Sequence, residues 1–171
     1  MSTESTALPA ATRGAWGAAR PWAGTAARIL LGIVWIVAGS SKVTDLAAAV
    51  RSVRAYQLLP EWAVPTVGAG LPFLEIALGS LLVIGLGVRL DGIVSLVLFA
   101  VFITGIVSAS VRGLRIDCGC FSAGGELGAG QLPTYGREVL RDVGFLVLAG
   151  ILLGRPRTRF SVDGLLTGKT A

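Results

Sequence analysis

Apolar positions gather in four runs along the 171-residue chain, separated by short polar stretches. The first covers about residues 24–42, the second 63–88, and the third 92–111, which holds no charge; Arg89 and Asp91 are expected to make a tight turn between the second and third, and a shorter fourth run covers 143–153. A helix needs about 20 residues to cross roughly 30 Å of hydrocarbon, so the first three runs predict membrane spans. The fourth becomes a span if its polar first turns, with Arg137, Glu138, Arg141 and Asp142, belong to the same helix and Thr134 caps it. Small residues follow the apolar segment 29–38, as they do in a signal peptide, but three further spans favour a membrane helix.

Between the first two runs the pattern turns amphipathic. Leu46, Val50 and Val53 share one helical face, Arg51 and Arg54 lie away from it, and Pro60 ends the segment beside Trp62. This predicts a short helix lying in the membrane interface with its arginines among the headgroups. The fold class is therefore all-α: a four-helix transmembrane bundle with one interfacial helix after the first span. Residues 1–25 show no sustained helical pattern and are expected to form a disordered cytoplasmic tail, residues 26–154 the membrane domain, and residues 155–171 a basic cytoplasmic tail.

Composition agrees with a bilayer as solvent: 53% of residues are hydrophobic, 15% are charged, and mean hydropathy is +0.75. The net charge of +5 does not indicate nucleic acid, because the Lys and Arg residues are scattered over loops and tails without an aromatic-interleaved stripe. They set topology instead. The raw count on the two sides nearly balances, and Arg155, Arg157 and Arg159 directly after the fourth run place both termini in the cytoplasm and the loop after the third span outside. The chain has no histidine, which removes the commonest general base and the imidazole ligands of zinc.

That outer loop contains the stretch Arg115-Ile-Asp-Cys-Gly-Cys-Phe-Ser122, with both cysteines of the chain. Cys118 and Cys120 lie two apart, and helical geometry would point them in opposite directions, so they meet only in a turn. Gly119 between them frees the backbone for that turn. A disulfide closed over one residue removes little unfolded-chain entropy, which argues against a structural staple. Strain and exposure favour exchange instead. Arg115 would lower a thiol pKa and Asp117 would raise it, so the net sign is open. Three uses remain: dithiol–disulfide exchange, favoured here; soft-metal binding such as Cu(I); and inert or intermolecularly paired thiols. Two sulfurs and no imidazole do not make a tetrahedral zinc site.

Within the second run, Glu75 sits about 16 Å along its helix from Val64. An ionised carboxylate there is costly, so it is expected to be protonated, paired or turned to a cavity, as a proton relay, a polar anchor for a quinone head group, or a packing carboxyl. Lys42, at the end of the first run, either snorkels to the interface or reaches into the outer half of the bundle, with the interface favoured. Arg141 and Asp142 are expected at the level of the cysteine turn, where they either orient a partner or, as such residues more often do, simply mark the interface. Gly32 and Gly39, seven apart, share a helix face suited to close packing.

The order of VAGSSKVTD, VRAYQLLP, LPFLEIALG, IDCGCF and LRDVGFLVLAG over about residues 26–154 resembles the MauE branch of the DoxX-like membrane proteins, recognised by a Cys-Gly-Cys-Phe-Gly loop. Ser122 stands where that pattern has glycine. The resemblance implies a multi-pass protein of the bacterial cytoplasmic (inner) membrane linked to disulfide formation in an extracytoplasmic partner. The expected function is a thiol–disulfide oxidoreductase or redox accessory: Cys118 and Cys120 take electrons from a thioredoxin-like protein and pass them to a membrane quinone. The competing expectation is a non-catalytic subunit or assembly factor of a larger membrane complex, with the turn as a fixed loop.

Overall fold

A computed structural model describes residues 10–119, 124–128, 130–154 and 162, with side chains from residue 22 onward. Five helices and one small hairpin follow in order: α1 (Ala10–Val43), α2 (Leu46–Ala55), α3 (Val64–Ile84), α4 (Val88–Val111), β1 (Ile116–Asp117), β2 (Gly125–Glu126) and α5 (Tyr135–Gly154). Among the described residues, α1 from Trp22 onward, α3 and α4 are long and apolar enough to cross a membrane. The chain is thus an all-helical membrane protein. The 20 residues of α5 reach about 30 Å, but its first turns carry the four charges.

Two boundaries differ from the sequence pattern. Helix α1 begins at Ala10, inside the segment assigned to a tail, because the alanine-rich start has strong intrinsic helix propensity even without an apolar stripe. Arg89 and Asp91, expected in a tight turn, instead lie in the first turn of α4. The turn itself is made by Gly85 and Gly87, both left-handed, and Asp91 suits the positive end of the helix dipole. Helix α2 is capped by the Asp45 carboxylate, which accepts the Ala48 N–H at 2.8 Å. Its buried face is Ala48, Ala49, Ser52 and Ala55; Arg51 and Arg54 stay exposed as expected. Small side chains bury because α2 packs closely against α3, α1 and the hairpin strand β2.

Helix α1 runs along α3, and Gly32 and Gly39 are the points of closest approach. A Cβ on Gly32 would lie 3.0 Å from the Gly79 carbonyl, and one on Gly39 would lie 2.6 Å from the Pro72 carbonyl. Helix α5 packs along α4 and α1, and the core between them holds Leu31, Trp35, Leu82, Phe99, Ala149 and Leu152. Trp35 stacks on Phe99 with ring centres 4.6 Å apart and donates its indole N–H to Ser95 Oγ at 3.0 Å. Helices α3 and α4 touch little along their length. The segment Tyr56–Leu59 and the cysteine turn lie at the end of the gap between them nearest the start of α3 and the end of α4. Gln57, at φ +52°, turns the chain there after α2.

Candidate functional site

The cysteine turn sits on the hairpin β1–β2, in which Ile116 pairs with Glu126 and Asp117 with Gly125. Two left-handed glycines shape it, Gly119 at φ +73° and Gly124 at φ +62°. The turn rests on Ser52 of α2: a Cβ on Gly124 would lie 2.1 Å from Ser52 Oγ, and one on Gly119 would lie 3.1 Å from it. Only hydrogen fits at these two points. Cys118 is 8% exposed, so the turn presents this sulfur inward rather than in the open position expected of an exchanging disulfide. Cys120 lies outside the described residues.

Two tyrosines and a carboxyl hold the backbone around Cys118. Tyr56 donates its hydroxyl to the Cys118 carbonyl at 3.1 Å, and Arg112 in turn donates to the Tyr56 carbonyl at 2.5 Å. Tyr135 accepts the Ile116 N–H at 3.1 Å and donates to the Leu114 carbonyl. Glu138, in the first turn of α5, is buried under the turn, accepts the Thr134 hydroxyl at 3.1 Å, and takes in the backbone N–H of Cys118. Gly119 N–H lies 3.5 Å from the Asp117 carboxylate, a weak closure of the same turn. Arg115 points elsewhere: its guanidinium donates to the Gln131 carbonyl at 2.6 Å and ties down the following loop.

Glu138 escaped the sequence reading as a site residue because it looked like one more polar residue at a helix start. The available signal was Thr134 four residues before it, directly after the cysteine loop. Burial raises the Glu138 pKa above the ordinary carboxyl value, and Asp117 adds to this; Thr134, Arg141 and the Cys118 N–H oppose it. The folded state therefore holds this proton more tightly than the unfolded chain. Its contribution to stability is full below about 4.5 and is lost as pH climbs through the raised folded value. Glu138→Gln keeps an acceptor for both partners and removes the charge. Wild type is expected to lose turn protection with rising pH over that window, read as the Cys118 alkylation rate divided by that of Glu138→Gln, which carries the thiol's own ionisation; a ratio constant with pH would contradict this.

Beneath the turn lies a buried ion pair. Lys42 Nζ contacts Glu75 Oε1 at 2.7 Å and Oε2 at 2.9 Å, with the carboxylate fully enclosed. Of the three states expected for Glu75, the structure has the paired one. Lys42 does not snorkel, because α1 ends short of the N-terminal end of α3: Gly39 already lies against Pro72 and Glu75, while α3 extends past that level to meet α2 at Gly68. The end of α1 is thus roofed by α2 and the turn.

Asp142 differs from expectation. It is buried in the core, where it faces a cavity of about 10 Å³ shared with Glu75, Trp35 and Phe102, rather than standing at the turn to meet a partner. Helical periodicity explains the difference: Glu138 and Asp142, four apart, share the inward face of α5, with Asp142 about 6 Å deeper. Half-buried Arg141 holds it at 2.9 Å. Among the described residues no three His, Cys, Asp or Glu side chains gather as a metal site.

A second cavity, of about 320 Å³, reaches from the turn down between α3 and α4. Cys118 and Gly119 form one end of its wall, Lys42 and Ser52 contribute its polar atoms, and Leu71 and Phe102 are typical of the rest.

This architecture can be set beside known proteins. The family model of methylamine utilisation protein MauE matches residues 20–155, which includes every described helix from α2 to α5 and the cysteine turn. The chain belongs to the MauE family. The "Methylamine utilization protein MauE" of Paracoccus denitrificans is 28% identical over 148 residues, covering 85% of this chain and 80% of that protein. No solved structure matches the chain. Membership of the MauE family joins the hairpin turn, the Lys42–Glu75 pair and the inward face of α5 within one matched region.

Proposed function

We propose that this MauE-family protein carries out thiol–disulfide exchange through Cys118 and Cys120 with a thioredoxin-like protein on the outer side of the cytoplasmic membrane. The observation that carries the reading is the seat built for Cys118: Ser52 and Tyr56 from the end of α2, with Tyr56 62 residues from Cys118 in sequence, and Glu138 from α5 across the fold, fix one two-residue stretch. A merely connecting loop has no need of such support. In this reading α5 is the fourth span, both termini are cytoplasmic, and the charged first turns of α5 lie at the outer surface with the turn.

Cys118 faces inward, so the incoming thiolate meets the sulfur of Cys120. The partner's thiolate attacks Cys120 of the Cys118–Cys120 disulfide, forming a mixed disulfide and releasing Cys118 as thiolate. The partner's second thiolate then attacks its own half of that mixed disulfide and releases Cys120, leaving the partner oxidised and the turn reduced. Disulfides persist in that compartment, which suits the chemistry. The family's association with methylamine utilisation supports a role beside a dedicated redox system, but the turn itself specifies no substrate of that kind.

Trapping tests the reading. Cys118→Ser, with Cys120 activated as its mixed disulfide with thionitrobenzoate, is expected to form a stable mixed disulfide with a thioredoxin-like partner lacking its resolving cysteine, releasing the thionitrobenzoate thiolate, and Cys120→Ser, activated in the same way at Cys118, to form much less. Capture by neither variant, with function retained in the Cys118→Ser, Cys120→Ser protein, would instead favour a non-catalytic subunit or assembly factor.

A further inference from the structure

We propose that the cavity beside Cys118 binds a membrane quinone that enters sideways from the lipid, and that the dithiol of the turn delivers its electrons there. This rests on the exchange reading for the source of electrons, while the binding site stands on separate observations.

The first is the mouth. Leu58, Leu59, Val67 and Val101 line the cavity and are also exposed, Val101 to 58%. Val67 and Val101 belong to two of the helices apolar enough to cross the membrane, so the opening faces hydrocarbon rather than water. Such a rim admits a lipid-soluble oxidant. The second is the volume: about 320 Å³ lies at the lower end of ligand pockets, enough for a ring with the start of a prenyl tail leaving through the mouth.

The third is the polar end. An acyl chain could fill the apolar walls, but a phospholipid keeps its charged headgroup at the interface and has no use for a deep ammonium. Lys42 has three N–H donors, and two serve the Glu75 oxygens. The remaining one is available to a ring carbonyl, and a cation beside that oxygen favours the uptake of electrons. Cys118 lies in the same wall. A quinone is the lipid-soluble molecule whose chemistry uses both ends of the site. Glu75, the expected polar anchor, is not in the cavity wall and acts only by holding Lys42.

The step balances. The two thiols of the turn lose two electrons and two protons as the S–S bond forms, and the two quinone oxygens gain two electrons and two protons to give the hydroquinone. No further oxidant is needed.

The test uses full-length protein in nanodiscs of quinone-free phosphatidylglycerol, with decylubiquinone as the probe. Wild type with its turn reduced is expected to form one hydroquinone per dithiol. Val101→Trp and Leu59→Trp, both at lipid-exposed rim positions, are each expected to weaken decylubiquinone binding about tenfold or more, with unfolding midpoints showing that both variants fold. The Cys118→Ser, Cys120→Ser protein is expected to bind decylubiquinone and form no hydroquinone. If it binds and the rim variants do not, the site holds even where partner trapping fails. Binding unchanged in both rim variants, or retained phospholipid that decylubiquinone does not displace, overturns the site. Binding by the reduced wild type without hydroquinone formation overturns the electron transfer.

Discussion

Lys42→Met is expected to destabilise the protein by about 3–5 kcal/mol, because it leaves the Glu75 carboxylate buried without its cation. Glu75 is fully enclosed between α1 and α3, and its oxygens lie 2.7 and 2.9 Å from Nζ. In hydrocarbon surroundings the orphaned carboxylate has no water to recover, so the loss exceeds the net value of the pair. The double variant Lys42→Met, Glu75→Met removes both charges with little change of volume. It is expected to recover most of that loss. A double-mutant cycle of unfolding in mixed micelles checks this; a double variant no more stable than Lys42→Met would show that the two side chains do not act as a charged unit.

Gly124→Ala is expected to lift the cysteine turn off α2. The new Cβ would lie 2.1 Å from Ser52 Oγ and 2.7 Å from the Gly119 Cα, at a φ of +62° that a side chain resists. The left-handed backbone alone costs roughly 1–2 kcal/mol, and the clash adds to it. A penalty of that size raises the open population of a locally closed segment roughly five- to thirty-fold. Measured in a Cys120→Ser background, alkylation of Cys118 by a membrane-impermeant maleimide should rise by that factor. Gly128→Ala is the control, since a Cβ there meets nothing nearer than 3.7 Å, and its rate should not change. An equal rate in both would mean that Ser52 does not support the turn.

Much of the fold was legible because the bilayer makes simple demands on sequence. Three long apolar runs became α1, α3 and α4, and the seven-residue spacing of Gly32 and Gly39 became the seam with α3. The boundaries were less legible. Polar residues at 89 and 91 looked like a turn, yet a helix start accepts them and the glycines before them made the turn.

The site divides in the same way. Sequence by itself determined that the chain is a membrane protein, that Cys118-Gly119-Cys120 is its one sulfur-bearing turn, and that Glu75 has to be protonated, paired or turned to a cavity, since each follows from composition or from the cost of burying charge. Tertiary structure decided which partner Glu75 takes, that Cys118 faces inward, that Glu138 supports it while Asp142 sits deeper, and that a cavity joins Cys118 to Lys42. Those outcomes depend on the relative heights of α1, α3 and α5. Helix heights are set by close glycine contacts and by how α2 roofs the bundle, which are long-range packing relations that no local pattern encodes.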